Sequence, residues 1–340
     1  MKRIGNLYEN IISFENLLFA SQKARRGKRM KEGCATFEMN RGEELCMLRD
    51  ELSAGTWQPG PYREFTIYER TPRKISAAPY RDRVVHHALC SVIEPIFERC
   101  FIHDSYACRT GKGTHAALDR FTQHARNARY ILKSDIRKYF PSIDHEILKA
   151  KVRRKIKCQG TLKLIDLIID GSNPQDEVIR YFPGDDLFTP LLRKRGIPIG
   201  NLTSQFFANL YLDALDHFVL EQLKPKGYIR YVDDISLFDD HKSRLWEMKS
   251  AIGCFLERER LILHPTKTFV QPVSEGTDHV GYRVFPDRRR MRKDVCYRFL
   301  RRVRHLKNDE ERQASLASWL GHAKWADAGG LVRRVIQEVA

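Results

Sequence analysis

The sequence predicts an α+β fold, and three features carry that prediction. Apolar residues recur at helical spacing in residues 7–20 and again through 202–220. Two short apolar stretches, 129–134 and 228–238, have strand character and run into or enclose aspartates. The final fifty residues are basic and once more helical in their spacing.

Taken along the chain, Leu7, Ile11, Phe14 and Leu18 form one apolar helix face. The basic stretch KARRGKRMK follows at 23–31 and suits a phosphate backbone. Residues 62–69, YREFTIYE, predict a strand, with Phe65, Ile67 and Tyr68 between Pro61 and Pro72. Helical spacing returns from Asp82 to Phe97 and should close near Pro95. RYILKS, 129–134, is a strand leading into Asp135, and Asp144 is placed to cap a helix through HEILKAKVRRKI. Further strands are predicted at 261–263 and 280–285. Near the end, Phe299, Val303 and Leu306 share one helix face, and Leu316, Trp319 and Ala323 share another. No internal repeat or low-complexity linker interrupts the pattern, so interleaved lobes are expected.

With 340 residues and 42% hydrophobic content, the chain can bury a substantial core as one unit or two to three lobes. Lys and Arg number 60 against 43 Asp and Glu, a formal charge of +17. Such an excess points to a polyanionic partner, nucleic acid above all. The eight cysteines lie far apart with no CxxC pair, which argues for reduced thiols and against zinc or redox work. The N-terminus lacks a signal peptide's apolar stretch, and no run approaches the roughly 18 apolar residues of a membrane span. A soluble, cytoplasmic protein with no membrane association is therefore expected.

The chemistry lies in two places. In IRYVDDISLF, 229–238, a hairpin would put Asp233 and Asp234 at its turn, where both carboxylates can reach a cation. In YILKSDIRKYF, 130–140, Asp135 closes a second apolar strand. Magnesium takes only one or two protein carboxylates and completes its shell with water and phosphate oxygens. Two such ions about 4 Å apart can clamp the attacking and departing oxygens of a phosphoryl transfer. Carboxylates at the ends of adjacent strands suit that arrangement, and the reaction they indicate is nucleotidyl transfer.

Tyr231–Val232–Asp233–Asp234 resembles the YxDD box of reverse transcriptases. Asp135–Ile136–Arg137–Lys138–Tyr139–Phe140 resembles their first metal-binding motif, DxxxxF/Y, in the correct order and 98 residues earlier. The resemblance covers nearly the whole chain and implies a right-hand polymerase. Fingers with an N-terminal helical extension would occupy 1–128, and a basic helical thumb 287–340. An RRM-like antiparallel palm sheet would occupy 129–286, with a helical insertion at about 145–195. The implied activity is RNA-directed DNA polymerisation, with Asp135, Asp233 and Asp234 holding two Mg²⁺ ions, or Mn²⁺ as a substitute. The implied partners are template RNA, primer and cDNA duplex, and dNTPs.

By the same likeness, Arg73 and Lys74 in RTPRKISAAPYRDRVVHHAL, 70–89, would hold the triphosphate. Phe140 would exclude a 2′-hydroxyl, and Lys267 in LILHPTKTF would protonate or stabilise the departing pyrophosphate. DSYACRTGKGTH, 104–115, is similar to the SYGFRxGRSxH block of bacterial reverse transcriptases and would bring Arg109 and Lys112 to nucleic acid. It is not a P-loop, because no GK[ST] follows at the required spacing. DRRRMRKDVCYRFLRRVRHLK resembles a thumb helix tracking the template–primer duplex through Arg298, Arg301 and Arg302.

GIPIGNLTSQFFANLYL, 196–212, narrows the family further. Many reverse transcriptases carry QGxxxSP at this point, whereas Ile199, Gly200 and Gln205 belong here to an IGxxxSQ loop, which by the likeness would lie beside the nucleotide. That departure resembles the enzymes of diversity-generating retroelements, bacterial or phage-encoded relatives of group II intron and retron reverse transcriptases. Members copy a template-repeat RNA with frequent errors opposite adenine, and work with a small basic accessory protein that forms a ring. A glutamine amide can hydrogen-bond the nascent pair where an isoleucine only packs. Losing one oriented hydrogen bond is worth roughly 0.5–1.5 kcal/mol, or about tenfold in discrimination at most. The alternatives are a retron-like, antiphage or group II intron-related enzyme, or an RNA-binding scaffold with degenerate catalytic residues. The length leaves no room for a typical RNase H or endonuclease domain, so those activities are expected from elsewhere.

Overall fold

Ser13 divides the first apolar stretch into two helices. A computed structural model describes residues 3–68, 72–172, 179–306 and 308–339. In it the spacing of 7–20 is shared between Tyr8–Ile12 and Phe14–Ala24. Ser13 is extended, with φ −58° and ψ 144°, and its side chain accepts a hydrogen bond from Asn16 N, capping the second helix. Two compact units are interleaved along the chain. The first comprises Met1–Ile102, Ile136–His217 and Gly253–Leu263; the second comprises His103–Asp135, Phe218–Ile252 and His264–Ala340.

In the first unit, Phe14–Ala24 packs on the helix Tyr80–Glu98. Leu17, Val84, Val85, Leu89 and Ile93 are buried there. The longer helix ends at Glu98, one residue past the predicted Phe97, and carries Pro95 in its last turn. Proline removes one amide from the ladder, but the buried Phe97 anchors the next turn. Strands β1 (Arg63–Tyr68) and β2 (Pro72–Ala77) pair antiparallel, with Ile67 opposite Arg73 and Thr66 opposite Lys74. β1 is exposed along its whole length, so Phe65, Ile67 and Tyr68 are surface residues. Residue 69 of the predicted strand, and residues 70 and 71 at the head of the following basic segment, lie outside the described residues. Asp144 caps His145–Arg153 by accepting from Glu146 N and Ile147 N, and pairs with Arg260 at 2.6 Å. The apolar helix predicted through 202–220 runs Leu202–Phe218.

The second unit holds a four-stranded antiparallel sheet of β3 (Tyr130–Asp135), β4 (Gly227–Tyr231), β5 (Asp234–Asp239) and β6 (Phe269–Pro272). Its spatial order is β4-β5-β3-β6. With helices in the chain between β3 and β4 and between β5 and β6, this is a split β-α-β-β-α-β arrangement. Its first and third strands, the two that carry aspartates at one end, are central. β6 stands where no strand was expected, while the predicted strand at 261–263 reduces to an isolated bridge between Ile136 and Leu263. A second sheet of β7 (Thr277–His279), β8 (Tyr282–Val284) and β9 (Arg289–Met291) narrows the strand predicted at 280–285. Val280 and Gly281, both at positive φ, make the turn before it.

Phe121, Ile131, Phe238, Tyr282, Phe299 and Trp319 belong to one apolar core in this unit. The helices Lys293–His305 and Asp309–Ala323 close it through stacked Phe299 and Trp319, 4.9 Å apart and 17° from parallel. Leu306 caps the first of these helices and is half-buried. The eight cysteines are all free. Among the described residues no helix is long and apolar enough to cross a membrane.

Candidate active site

Antiparallel pairing decides which side chains meet. In the β3–β5 ladder, Asp135 lies opposite Asp234 and Lys133 opposite Ser236. Side chains two apart share a face, so Lys133, Asp135, Asp234 and Ser236 stand on the same side of the sheet. Tyr231 pairs with Asp234, leaving Val232 and Asp233 as a two-residue hairpin loop. Val232 takes a left-handed φ of +58°. A positive φ at the first loop residue alone is the type II′ pattern, where glycine is usual. For a β-branched residue this conformation costs about 1–2 kcal/mol.

Each aspartate on a strand already has a lysine. Lys267 Nζ stands 2.8 Å from Asp135 Oδ2, and Lys133 bonds Asp234 from the same face of the sheet. The segment around Lys267 is fastened down. His264 N donates to Asp135 O at 2.7 Å, and the hydroxyls of Ser134 and Thr268 meet at 3.0 Å. Behind Asp234 the buried His279 ring stacks on Phe121, 4.4 Å apart, and its Nδ1 lies 3.9 Å from Asp234 Oδ2. Burial pushes the His279 pKa well down, helped by Lys133, so the ring is neutral. Tyr231 OH meets Thr114 Oγ1 at 3.2 Å, which fixes the strand beside the turn.

Burial, and then the charges of Asp135 and Asp234, push the Asp233 carboxyl up to about 7. Asp234 is raised as well, chiefly by burial and against the pull of Lys133. Among the described residues no three His, Cys, Asp or Glu side chains converge as a ready-made cage for a metal ion. The donor set nonetheless fits a hard divalent cation. It supplies carboxylate oxygens only, it raises the pKa of two of its three acids, and magnesium needs few protein ligands. A cation here would relieve the repulsion that lifts Asp233.

The other anticipated residues divide between the units. Arg73, Lys74, Phe140, Ile199, Gly200 and Gln205 all fall in the first. Arg73 and Lys74 are exposed on β2, and Lys74 pairs with Glu64 at 2.7 Å. Phe140 is half-buried beside Tyr139, and its carbonyl accepts from Ile197 N at 3.0 Å. Ile199 O accepts from Ser76 N at 3.2 Å, so the loop before Leu202 adds to β2. Gly200 has φ +114°, and a Cβ there would meet Ile75 Cγ2 at 2.9 Å, so both conformation and space call for glycine. Gln205 is exposed.

Sequence reasoning overlooked the residue that joins these parts. Asn201, only 3% exposed, accepts from Ala78 N at 3.2 Å and donates to Ser76 O at 3.1 Å. It clamps the loop to the strand that carries Arg73 and Lys74. Its signal was present only as the first variable position in IGxxxSQ. Lys133 and His279 were missed too, because their pairing with Asp234 depends on register.

Arg109 and Lys112, in the second unit, bind their own loop. Arg109 donates to Ser105 O at 2.7 Å, and Lys112 donates to His103 O at 3.0 Å while lying over the Tyr106 ring. Arg298, Arg301 and Arg302 are exposed on Lys293–His305. Arg298 pairs with Asp294, and Arg302 bonds Ser315 Oγ at 2.6 Å. Arg298 and Arg302 border a groove of about 800 Å³ floored by Phe299 and Trp319.

A basic protein that brings strand-end carboxylates and lysines together on a split β-α-β-β-α-β sheet has the build of a nucleotidyltransferase. Residues 67–284 match the family described as reverse transcriptase (RNA-dependent DNA polymerase). The chain belongs to the reverse transcriptase family, and its enzyme class is RNA-directed DNA polymerase. It is 25% identical to protein YkfC of Escherichia coli K12 over 287 residues, 73% of this chain and 72% of YkfC. It is 29% identical to the group II intron-encoded protein LtrA of Lactococcus lactis over 189 residues, 54% of this chain but 29% of LtrA. An uncharacterized 91 kDa protein in a cob intron of Schizosaccharomyces pombe is 30% identical over 152 residues, 45% of this chain and 17% of that protein.

Proposed function

We propose that this chain copies a template RNA into cDNA as the polymerase of a diversity-generating retroelement, with errors concentrated opposite adenine. The polymerase reading is carried by one observation, the register that sets Asp135 against Asp234 with Asp233 in the adjoining loop. In this reading the right hand has fingers at 1–128, a palm at 129–286 with an insertion at about 145–195, and a thumb at 287–340.

Asp135, Asp233 and Asp234 would hold two Mg²⁺ ions, or Mn²⁺ in their place. When bound, such ions activate the primer 3′-hydroxyl and steady the departing pyrophosphate. The bond from the 3′-oxygen to the α-phosphorus forms as the bond to pyrophosphate breaks. Lys267, 62% exposed beside Asp135, is the chain's own cation for the leaving group. Lys133, bonded to Asp234 on the same face of the sheet, fixes where that carboxylate stands. Arg73 and Lys74 would take the triphosphate, Phe140 would refuse a 2′-hydroxyl, and Ile199, Gly200 and Gln205 would border the nascent pair. Arg109, Lys112, Arg298, Arg301 and Arg302 would follow the nucleic-acid backbone. A small basic ring-forming accessory protein and a cytoplasmic, bacterial or phage-encoded setting belong to the same proposal.

The IGxxxSQ loop favours the mutagenic reading, while the match to LtrA favours a group II intron-related enzyme. Primer extension on an adenine-rich RNA with Mg²⁺ and dNTPs, followed by cDNA sequencing, separates them. Substitutions clustered opposite adenine are expected. Accurate cDNA would transfer the chain to the intron-related reading, and product from rNTPs as readily as dNTPs would remove the role given to Phe140.

A further inference from the structure

We infer that Arg230 is a positioning residue for the acidic turn, holding the Val232–Asp233 peptide in one of its two orientations. Arg230 precedes the YVDD box on β4 and is 0% exposed, among the largest fully buried side chains of the protein. Its guanidinium Nη1 donates to Val232 O at 3.0 Å. A guanidinium taken out of water is costly unless its hydrogen bonds are used, so a buried arginine aimed at a turn carbonyl calls for a reason.

Peptide planarity supplies that reason. Val232 O and Asp233 N–H belong to one plane, so fixing the oxygen fixes the amide that leads into Asp233. In a type II turn, the mirror image of II′, the first central residue has a negative φ and this central peptide is flipped. Val232 at φ +58° is a β-branched residue where glycine would be at ease, so the loop has a conformational reason to relax. The arginine opposes that relaxation. Its own backbone cannot yield easily, because Arg230 N donates to Asp104 O at 2.9 Å and Arg230 O accepts from Tyr106 N at 3.0 Å. Asp104 is in turn gripped by Arg120 through a forked pair at 2.9–3.1 Å. The chain of contacts runs Arg120, Asp104, Arg230, Val232, Asp233.

The inference rests on the polymerase reading for its activity readout and on thermal unfolding for the rest. A double-mutant cycle of Arg230→Met and Val232→Gly, measured by primer extension and by unfolding midpoint, tests it. Arg230→Met should lower kcat ten- to a hundredfold while KM for dNTP and affinity for an RNA–DNA duplex stay within threefold. Adding Val232→Gly should restore at least fivefold of that kcat, because glycine holds a left-handed φ without help. An arginine that only fills the interior predicts no rescue, and equal losses in single and double variants would overturn the inference. Should Arg230→Met fail to fold, Val232→Gly with Arg230 intact decides the matter. A raised unfolding midpoint supports a strained, clamped turn, and a lowered one overturns it. The midpoints need no catalysis, so a wild-type chain that extended no primer would count against the polymerase reading while the turn was still decided.

Discussion

The acidic end of the four-stranded sheet is held by backbone register, with Asp135 and Asp234 on central strands and a lysine bonded to each. The β1–β2 hairpin of the first unit is built differently. It is a two-stranded ribbon whose basic residues lie in the open, and its described side-chain anchor to the 196–201 loop is Asn201. A pair of strands alone is marginal in water, whereas a four-stranded sheet over an apolar core is self-supporting. The contrast teaches where each kind of substitution should act. Changes at the sheet end should cost chemistry and leave binding; changes at the hairpin joint should cost nucleotide affinity first.

The largest effect is expected at the sheet. Asp233→Ala should reduce primer extension by about a thousandfold or more, with RNA binding by filter retention unchanged. An active Asp233→Ala enzyme would break the comparison at its root. Next comes the joint. Asn201→Ala removes two buried hydrogen bonds, from Ala78 N and to Ser76 O, each worth roughly 0.5–1.5 kcal/mol and more where a buried group loses its partner. KM for dNTP should rise about tenfold or more, with kcat less affected; a kcat loss at constant KM would place Asn201 with the chemistry instead.

Ile199→Gln is a smaller test on the hairpin side. Its error rate opposite adenine should fall by up to about tenfold, the worth of one oriented hydrogen bond. An unchanged error spectrum in sequenced cDNA would detach Ile199 from fidelity. The smallest effect concerns Asp104, which braces the edge of the sheet. Burial alone would lift its carboxyl, but neighbouring His124, the Arg120 fork and His103 outweigh that and hold it well below the ordinary carboxylate range. A depressed carboxyl stabilises the fold above the ordinary carboxyl pKa of about 3.9 and loses that contribution as pH falls toward its folded value. The gap in unfolding midpoint between wild type and Asp104→Asn should therefore be full at neutral pH and shrink below about pH 4. A gap that does not change with pH would show that Asp104 acts without its charge.

Much of the acidic site was legible in the residues. Asp135 and the aspartate pair interrupt apolar strands, and burial makes such an interruption conspicuous. Asp144 was readable as a cap because capping depends on local geometry. What could not be read depends on pairing across the sheet or on distant segments. Lys133 reaches Asp234 because of a register set 101 residues away. Arg230 looks like an ordinary charged strand residue until its burial is seen. β6 was missed because it is four residues long, half-exposed and ends in Pro272. The helix break at Ser13 escaped notice because the apolar spacing continues through it.

The Asn201 joint has a consequence for how such an enzyme could diversify over generations. The Asn201 side-chain amide and the Ser76–Ile199 backbone bond tie the strand bearing Arg73 and Lys74 to the loop bearing Ile199 and Gly200. Under the proposed assignment, grip on the triphosphate and scrutiny of the base are inherited together. A lineage selected for looser copying would also drift in its appetite for scarce nucleotides. Compensating changes should then arise on the opposite side of that amide, near Ile75 and Ser76, rather than beside the aspartates.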